Sequence, residues 1–191
     1  MKKIMAIAGR LLAAGGMAVG LGVGLAGGAQ AGIVVPDTTW NEIWSPGLTA
    51  QSNTMCLDVP SGSRANQLRL QLFHCHGYAS DGGPQRWQFI YDGSPTGVPV
   101  YQLRNTANGL CVSFDPVSLY IIQTSCDFSG GWELWSENLW AADQKFALVR
   151  YPSSGNPMCI TAANPSDSNH TPLSLLSCQL WYNYPQLWQL G

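Results

Sequence analysis

Charged residues are scarce in this sequence, and their scarcity excludes several kinds of ligand. Only 10% of the 191 residues are Asp, Glu, Lys or Arg, and no basic cluster offers the electrostatic footprint that a nucleic acid requires. A polybasic patch for anionic lipid headgroups is missing as well. We therefore expect neither a nucleic acid nor a charged membrane surface to be the partner of this protein.

Catalytic and metal-binding signatures are also sparse. The chain has only three histidines, no Gly-x-Ser-x-Gly motif and no phosphate-cradling glycine loop. No Cys-x-x-Cys pair is present, and the histidines that flank Cys75 find no sulfur ligand there if Cys75 forms a disulfide. We predict a protein without enzymatic activity, metal or other cofactor, with glycoside hydrolysis by two carboxylates as an open alternative.

One long uncharged segment near the N-terminus predicts export. Three cations in the first ten residues precede it, and Ala29-Gln30-Ala31 at its end has the small-x-small form that a signal peptidase accepts. We predict a signal peptide at residues 1–31, then an extension at residues 32–45 and one secreted domain at residues 46–191 without a membrane span. The alternative is an uncleaved anchor, because the segment approaches the roughly 20 residues that cross a bilayer.

Six cysteines lie beyond this segment, and in an exported chain an even number indicates disulfides. Six thiols allow 15 pairings, so the spacing has to choose among them. Taken in chain order as three pairs, the two cysteines of each pair are 19, 15 and 19 residues apart, which favours three short loops, each closed within its own segment. The predicted bridges are Cys56 with Cys75, Cys111 with Cys126, and Cys159 with Cys178.

The cysteine pairs mark three copies of one pattern. The first cysteine of each pair opens the phrases Cys56-Leu57-Asp58, Cys111-Val112-Ser113 and Cys159-Ile160-Thr161. After each pair comes a glutamine two residues before an aromatic, in Gln85-Arg86-Trp87, Gln144-Lys145-Phe146 and Gln186-Leu187-Trp188. An internal repeat of this kind predicts three structural units of one type.

Short alternating runs of apolar and polar residues fill the space between these marks. Gly, Pro, Asn and Ser bound them, as strands and turns require, and no amphipathic helical stripe is visible beyond the N-terminal segment. An all-β domain built three times over needs a closed arrangement to hide its strand edges. A threefold barrel provides one.

The first copy resembles the first repeat of ricin-B-type trefoil lectins, including those in secreted actinobacterial proteins. The resemblance rests on Cys56-Leu57-Asp58-Val59, on Leu70-Gln71-Leu72-Phe73-His74-Cys75 and on Gln85-Arg86-Trp87-Gln88-Phe89, and it extends over about residues 46 to 190. It implies an all-β fold, a β-trefoil of three repeats stapled by intra-repeat disulfides. It also implies a lectin that binds glycans or polysaccharide.

The same resemblance implies a sugar pocket in the first repeat. In the family, the acid after Cys-Leu accepts sugar hydroxyls, a glutamine four residues before the second cysteine assists it, and a nearby aromatic stacks on the sugar ring. These positions correspond to Asp58, Gln71 and Phe73. Two structural interpretations stay open, because Asp58 is also a residue that caps turns and Phe73 is also suited to a core.

Two further residues belong to the predicted pocket. Gln85 is part of it through the Gln-x-Trp mark, although the recurrence of that mark favours a structural role. Pro84 stands where lectins of the family often have an asparagine, and Asp81 is the candidate replacement for the missing contact.

The other two repeats lack the acid, the amide and the aromatic together. We therefore predict one working pocket per chain. The corresponding residues are Ser113, Ile122 and Thr124 in the second repeat, and Thr161, Ser174 and Leu176 in the third.

A tryptophan-rich segment occurs only in the second repeat. Trp132, Trp135 and Trp140 either close the end of the barrel or form a contact patch for a protein partner. The patch favours the alternative function, a protein-binding trefoil such as the targeting subunit of a toxin or a protease inhibitor.

Overall fold

In the computed structural model the described residues form 13 strands, and every pairing between these strands is antiparallel. The structure describes residues 40–50, 53–77, 83–94, 97–126, 134–140, 145–153, 155–162, 168–179 and 184–191, which all belong to one unit, Ala31–Gly191. The strands are β1 Trp40–Ala50, β2 Asn53–Asp58, β3 Leu68–Arg69, β4 Gln71–His74, β5 Arg86–Tyr91, β6 Tyr101–Asn105, β7 Cys111–Phe114, β8 Ile121–Thr124, β9 Leu134–Trp140, β10 Lys145–Arg150, β11 Met158–Ala162, β12 Thr171–Ser177 and β13 Gln189–Leu190.

Strand pairing closes a barrel around the core. β1 pairs with β5 and β13, β6 pairs with β5 and β9, and β10 pairs with β9. An isolated bridge between Phe146 and Trp188 completes the circuit from β10 back towards β13. Closure hides the strand edges, which is the physical requirement that the all-β sequence pattern imposed.

The three repeats have the same register outside the barrel. Asp58 lies opposite Gln71 in the β2–β4 hairpin, Ser113 lies opposite Ile122 in β7–β8, and Thr161 lies opposite Ser174 in β11–β12. In each hairpin the first cysteine faces the residue two places further on, which is Phe73, Thr124 or Leu176. The predicted threefold repetition is thus confirmed residue by residue.

Three buried tryptophans repeat one contact in the core. The indole N–H groups of Trp87, Trp135 and Trp188 donate to the backbone carbonyls that follow each first cysteine, at 3.0, 3.0 and 3.3 Å. All three side chains are fully buried. An indole N–H inside a core needs a hydrogen-bond partner, and in each repeat that partner is a carbonyl of the hairpin. This contact attaches each hairpin to the barrel.

The second-repeat mark at Phe146 is therefore wrong, because Trp135 occupies the position equivalent to Trp87 and Trp188. Phe146 instead lies opposite Trp188, as Asn41 lies opposite Trp87 and as Tyr101 lies opposite Trp135. The spacing from the second cysteine of the repeat could have identified Trp135. Trp135 follows the second cysteine of its repeat at about the distance seen in the other repeats, whereas Phe146 lies about twice as far away.

The predicted disulfides are confirmed. Cys56 is bonded to Cys75, Cys111 to Cys126, and Cys159 to Cys178. Each bridge joins the first strand of a hairpin, β2, β7 or β11, to the residues that follow its second strand, β4, β8 or β12. The bridges therefore hold the three hairpins whose ends carry the candidate site positions.

The described residues bear on three sequence predictions: the domain boundary, the membrane span and the role of the tryptophan-rich segment. β1 begins at Trp40 and so crosses the domain boundary predicted at residue 46. No helix within the described ranges is long and apolar enough to traverse a bilayer. Trp135 lies in β9 inside the core, which assigns it to closure of the barrel, while Trp132 lies outside the described residues.

Candidate functional site

A cavity of about 340 Å³ opens on the first repeat, and the predicted acid, amide and aromatic all line it. We call it the first cleft. Asp58 is contributed by the end of β2, and Gln71 and Phe73 by β4. The register of this hairpin places the acid directly across from the amide, so local sequence positions three predicted site residues together.

Asp58 and Gln71 form a buried polar pair. The Gln71 Nε2 donates a hydrogen bond of 2.8 Å to the Asp58 Oδ2, and Asp58 is only 4% exposed. Burial raises the pKa of the Asp58 carboxyl above its usual value, while hydrogen bonds from Gln71 and Gln85 and the nearby His76 and His170 lower it. Since Asp58 bonds across the hairpin to a side chain, its contacts differ from those of a turn-capping aspartate.

Phe73 is half-buried and surrounded by all three histidines of the chain. Its ring centroid lies 4.4 Å from His74, 5.5 Å from His76 and 5.1 Å from His170. Phe73, His76 and His170 line the first cleft, so one wall of the cavity is aromatic. This leaves Phe73 in contact with both the cavity and its neighbours, unlike the fully buried core aromatics.

His76 and His170 are the cleft residues that sequence reasoning missed. His170 belongs to the third repeat and reaches the first cleft only because β12 pairs with β4. No sequence signal marks this contact, since 99 residues separate His170 from its partner Gln71. His76 follows the second cysteine directly, and its nearness to the predicted aromatic was the one available hint.

Gln85 bonds to the backbone as well as to Asp58. Its Oε1 accepts from the His76 N–H at 2.9 Å, and its Nε2 donates to the His74 carbonyl at 3.0 Å. Gln186 makes the same two bonds in the third repeat, to the Gln179 N–H at 2.7 Å and the Ser177 carbonyl at 3.0 Å. The glutamine thus holds the strand end in a repeat without the acid, which favours the structural role.

The remaining predicted contact is Asp81. Asp81 lies outside the described residues, so its place as a substitute contact stays a prediction. Pro84 lines the first cleft at the position where the family often has asparagine. Its carbonyl accepts from the Val59 N–H at 3.1 Å and from the Asn105 Nδ2 at 3.1 Å.

A second, larger cavity of about 420 Å³ occupies the equivalent place in the second repeat, lined in part by Ser113, Ile122 and Thr124. We call it the second cleft. Its acid is Asp115, whose carboxylate accepts from the Val117 N–H at 2.9 Å and from the Ser118 hydroxyl at 2.6 Å. These bonds hold a local turn and lower the pKa of the Asp115 carboxyl.

Potential metal ligands come together at one place among the described residues. Glu42, Cys56 and Cys75 have their ligand atoms within 4.8 Å of one another. Both sulfurs are joined in a disulfide, so neither is a thiolate that would bind a metal. This group therefore does not fit a metal site.

Three hairpins of equal register on a closed six-stranded barrel define a β-trefoil. The chain belongs to the ricin-type β-trefoil lectin domain family, whose model matches residues 47–179. No curated protein is recognisably similar in sequence.

Solved structures share the fold at low sequence identity. The designed threefold-symmetric protein ThreeFoil has a TM-score of 0.63 at 19% identity, with 79% of this chain and 96% of ThreeFoil covered. A chain of the cytolethal distending toxin from Actinobacillus actinomycetemcomitans gives 0.60 at 16% identity, with coverage of 81% and 92%. The Macrolepiota procera ricin B-like lectin in complex with lactose gives 0.56 at 13% identity, with coverage of 82% and 97%.

Proposed function

We propose that this protein is an exported lectin that binds one sugar residue in the first cleft and catalyses no reaction. The observation that carries the proposal is the Asp58–Gln71 pair, a buried carboxylate and amide that meet at 2.8 Å beside the half-buried ring of Phe73. Family membership supports a carbohydrate ligand.

The chemistry of the first cleft suits a neutral sugar. An ionised carboxylate accepts hydrogen bonds from two adjacent hydroxyls, and such charge-assisted bonds are about twice as strong as neutral ones. The amide of Gln71 adds a donor, and Phe73 offers an apolar face to the C–H side of a sugar ring. A single site of this size corresponds to a dissociation constant near 1 mM, or about −4 kcal/mol.

Binding without catalysis is consistent with the groups that line the cavity. Glycoside hydrolysis usually employs two carboxylates about 5 to 10 Å apart. Among the described residues that line the first cleft, Asp58 is the one carboxylate, and its neighbours are amides and imidazoles. The arrangement therefore favours holding a sugar over cleaving it.

An array of glycans that includes lactose, probed with oxidised protein, tests the function. Lactose is included because a structurally similar lectin binds it. Asp58→Asn should weaken binding to the strongest glycan roughly ten- to a hundredfold, since a hydrogen bond to a charged group contributes about 1.5 to 3 kcal/mol. Ser113→Ala, the matched change in the second cleft, should leave binding within about twofold.

The melting temperature of both variants should stay within a few degrees of the parent protein. Unfolding of Asp58→Asn would show that the acid is structural. Binding that survives in a folded Asp58→Asn variant, or that disappears in Ser113→Ala, would move the site away from the first cleft.

A further inference from the structure

The tip of the third-repeat hairpin is held firmly against the first cleft. The His170 backbone N–H donates to the Leu72 carbonyl at 2.9 Å, and the Asn169 Oδ1 accepts from the His74 backbone N–H at 2.9 Å. The His170 imidazole is exposed, lines the cleft and lies 3.0 Å from the Gln71 Oε1 through its Nδ1. Backbone contacts thus present this side chain to the amide of the site.

Hydrogen-bond polarity determines which atoms carry protons in this chain of contacts. An ionised Asp58 only accepts, so Gln71 must turn its Nε2 towards it, and this leaves the Gln71 Oε1 facing His170. A carbonyl oxygen only accepts as well. His170 must therefore carry its proton on Nδ1, and in the neutral ring Nε2 keeps its lone pair.

The second cleft offers a natural comparison. Gln67 is the equivalent of His170, because its backbone N–H donates to the Gln123 carbonyl at 2.8 Å and its φ is also positive, 59° against 68°. The residue of the second repeat that corresponds to Gln71 is Ile122, so this position has no amide to be oriented. Of these two clefts, only the first therefore has the imidazole–amide contact.

We propose that His170 is a positioning residue of the first cleft, which orients the Gln71 amide so that its second N–H is available to a sugar oxygen. This rests on the proposed function. If the amide rotated, its oxygen would face the Asp58 carboxylate and a lone pair would replace the donor. The third repeat, which lacks a pocket acid of its own, would then serve the first repeat.

A tautomer measurement tests this without any sugar. In ¹⁵N-labelled protein at about pH 8, the His170 ring should carry a proton on Nδ1 and none on Nε2. In Gln71→Leu, which removes the acceptor, the ring should revert to the Nε2–H form that free imidazole side chains prefer. A Nε2–H tautomer in the parent protein, or a tautomer unchanged by Gln71→Leu in the folded protein, would overturn the proposal.

Two substitutions with lactose as the probe separate positioning from direct contact. His170→Asn keeps a donor near the Nδ1 position and suits the positive φ, so lactose affinity should stay within about threefold. His170→Gln places its amide near the Nε2 position, and affinity should fall roughly five- to tenfold. The opposite order would mean direct contact through Nε2, and equal losses would mean a structural role; either result contradicts the proposal.

Gln67→Ala is the control, and it should change neither lactose affinity nor the His170 tautomer. If the parent protein binds no lactose, the proposed function loses this probe while the tautomer measurement still decides the role of His170.

Discussion

The first and second clefts occupy equivalent places on the trefoil and each contains an aspartate, yet the two aspartates have different partners, and we propose that only Asp58 binds a ligand. Asp58 is buried and bonded across its hairpin to Gln71. Asp115 lies in its own turn, where the Ser118 hydroxyl and the Val117 N–H each donate to one carboxylate oxygen. The position of a carboxylate relative to its neighbours, more than its presence, therefore distinguishes the two clefts.

The cleft that we propose to bind a ligand is the smaller of the two. The second cleft is larger, about 420 Å³ against about 340 Å³, although it has Ile122 and Thr124 where the first has an amide and an aromatic. Arg69, at its rim, lies 3.8 Å above the ring of Tyr120, so a cation–π contact engages it. Repetition thus preserves the position of a cleft, while the side chains decide its chemistry.

The strongest test of this comparison is to place the acid, the amide and the aromatic of the first cleft into the second cleft. The parent protein should bind one lactose per chain in titration calorimetry, and the triple variant Ser113→Asp, Ile122→Gln and Thr124→Phe should bind two. The register predicts this gain, since Ser113 lies opposite Ile122 as Asp58 lies opposite Gln71. Two sites in the parent protein, or one in a folded triple variant, would contradict the equivalence of the positions.

Acidification should change the contributions of Asp58 and Asp115 to stability in opposite directions. Burial raises the pKa of Asp58 above its ordinary value of 3.8, so lactose affinity should fall as the pH falls through the raised value and the carboxylate is protonated. The folded chain then holds more protons than the unfolded chain between the two values. The contribution of Asp58 to stability should therefore rise as the pH falls.

Asp115 has the reverse sign. Hydrogen bonds lower its pKa, so its stabilising contribution is present above the ordinary value and is lost as the pH falls through the lowered value. Urea unfolding from about pH 7 to about pH 3 checks both signs. On acidification the parent protein should gain stability relative to Asp58→Asn and lose it relative to Asp115→Asn; shifts of the same sign would contradict the assignment.

The smallest expected effect concerns what the two repeats share. Trp87→Phe and Trp135→Phe each remove the indole donor to a buried carbonyl, which should cost about 1 to 3 kcal/mol of unfolding free energy. For a domain of this size that lowers the melting temperature by roughly 2 to 4 °C per kcal/mol. Equal losses in the two variants would confirm a common core, and a much smaller loss in Trp135→Phe would contradict the corrected repeat assignment.

Much of the fold was predictable because covalent and periodic features are local. The cysteine spacing predicted all three bridges, and the alternating runs predicted strands. The error at Phe146 arose because Gln-x-aromatic is a short pattern that occurs by chance, whereas the role of Trp135 is defined by a hydrogen bond to Val112. Asp58, Gln71 and Phe73 were predictable together because they share one hairpin.

By itself the sequence determined the threefold repetition, which is visible as a recurring pattern, and the disulfide pairs and the lone acid–amide–aromatic hairpin, which follow from residues 19 positions apart or fewer. Only the tertiary structure decided that His170 from the third repeat contacts Gln71 and that the Trp135 indole donates to the Val112 carbonyl. Those outcomes depend on which strands close the barrel and on which polar atoms already have partners. Neither is encoded at a fixed spacing along the chain.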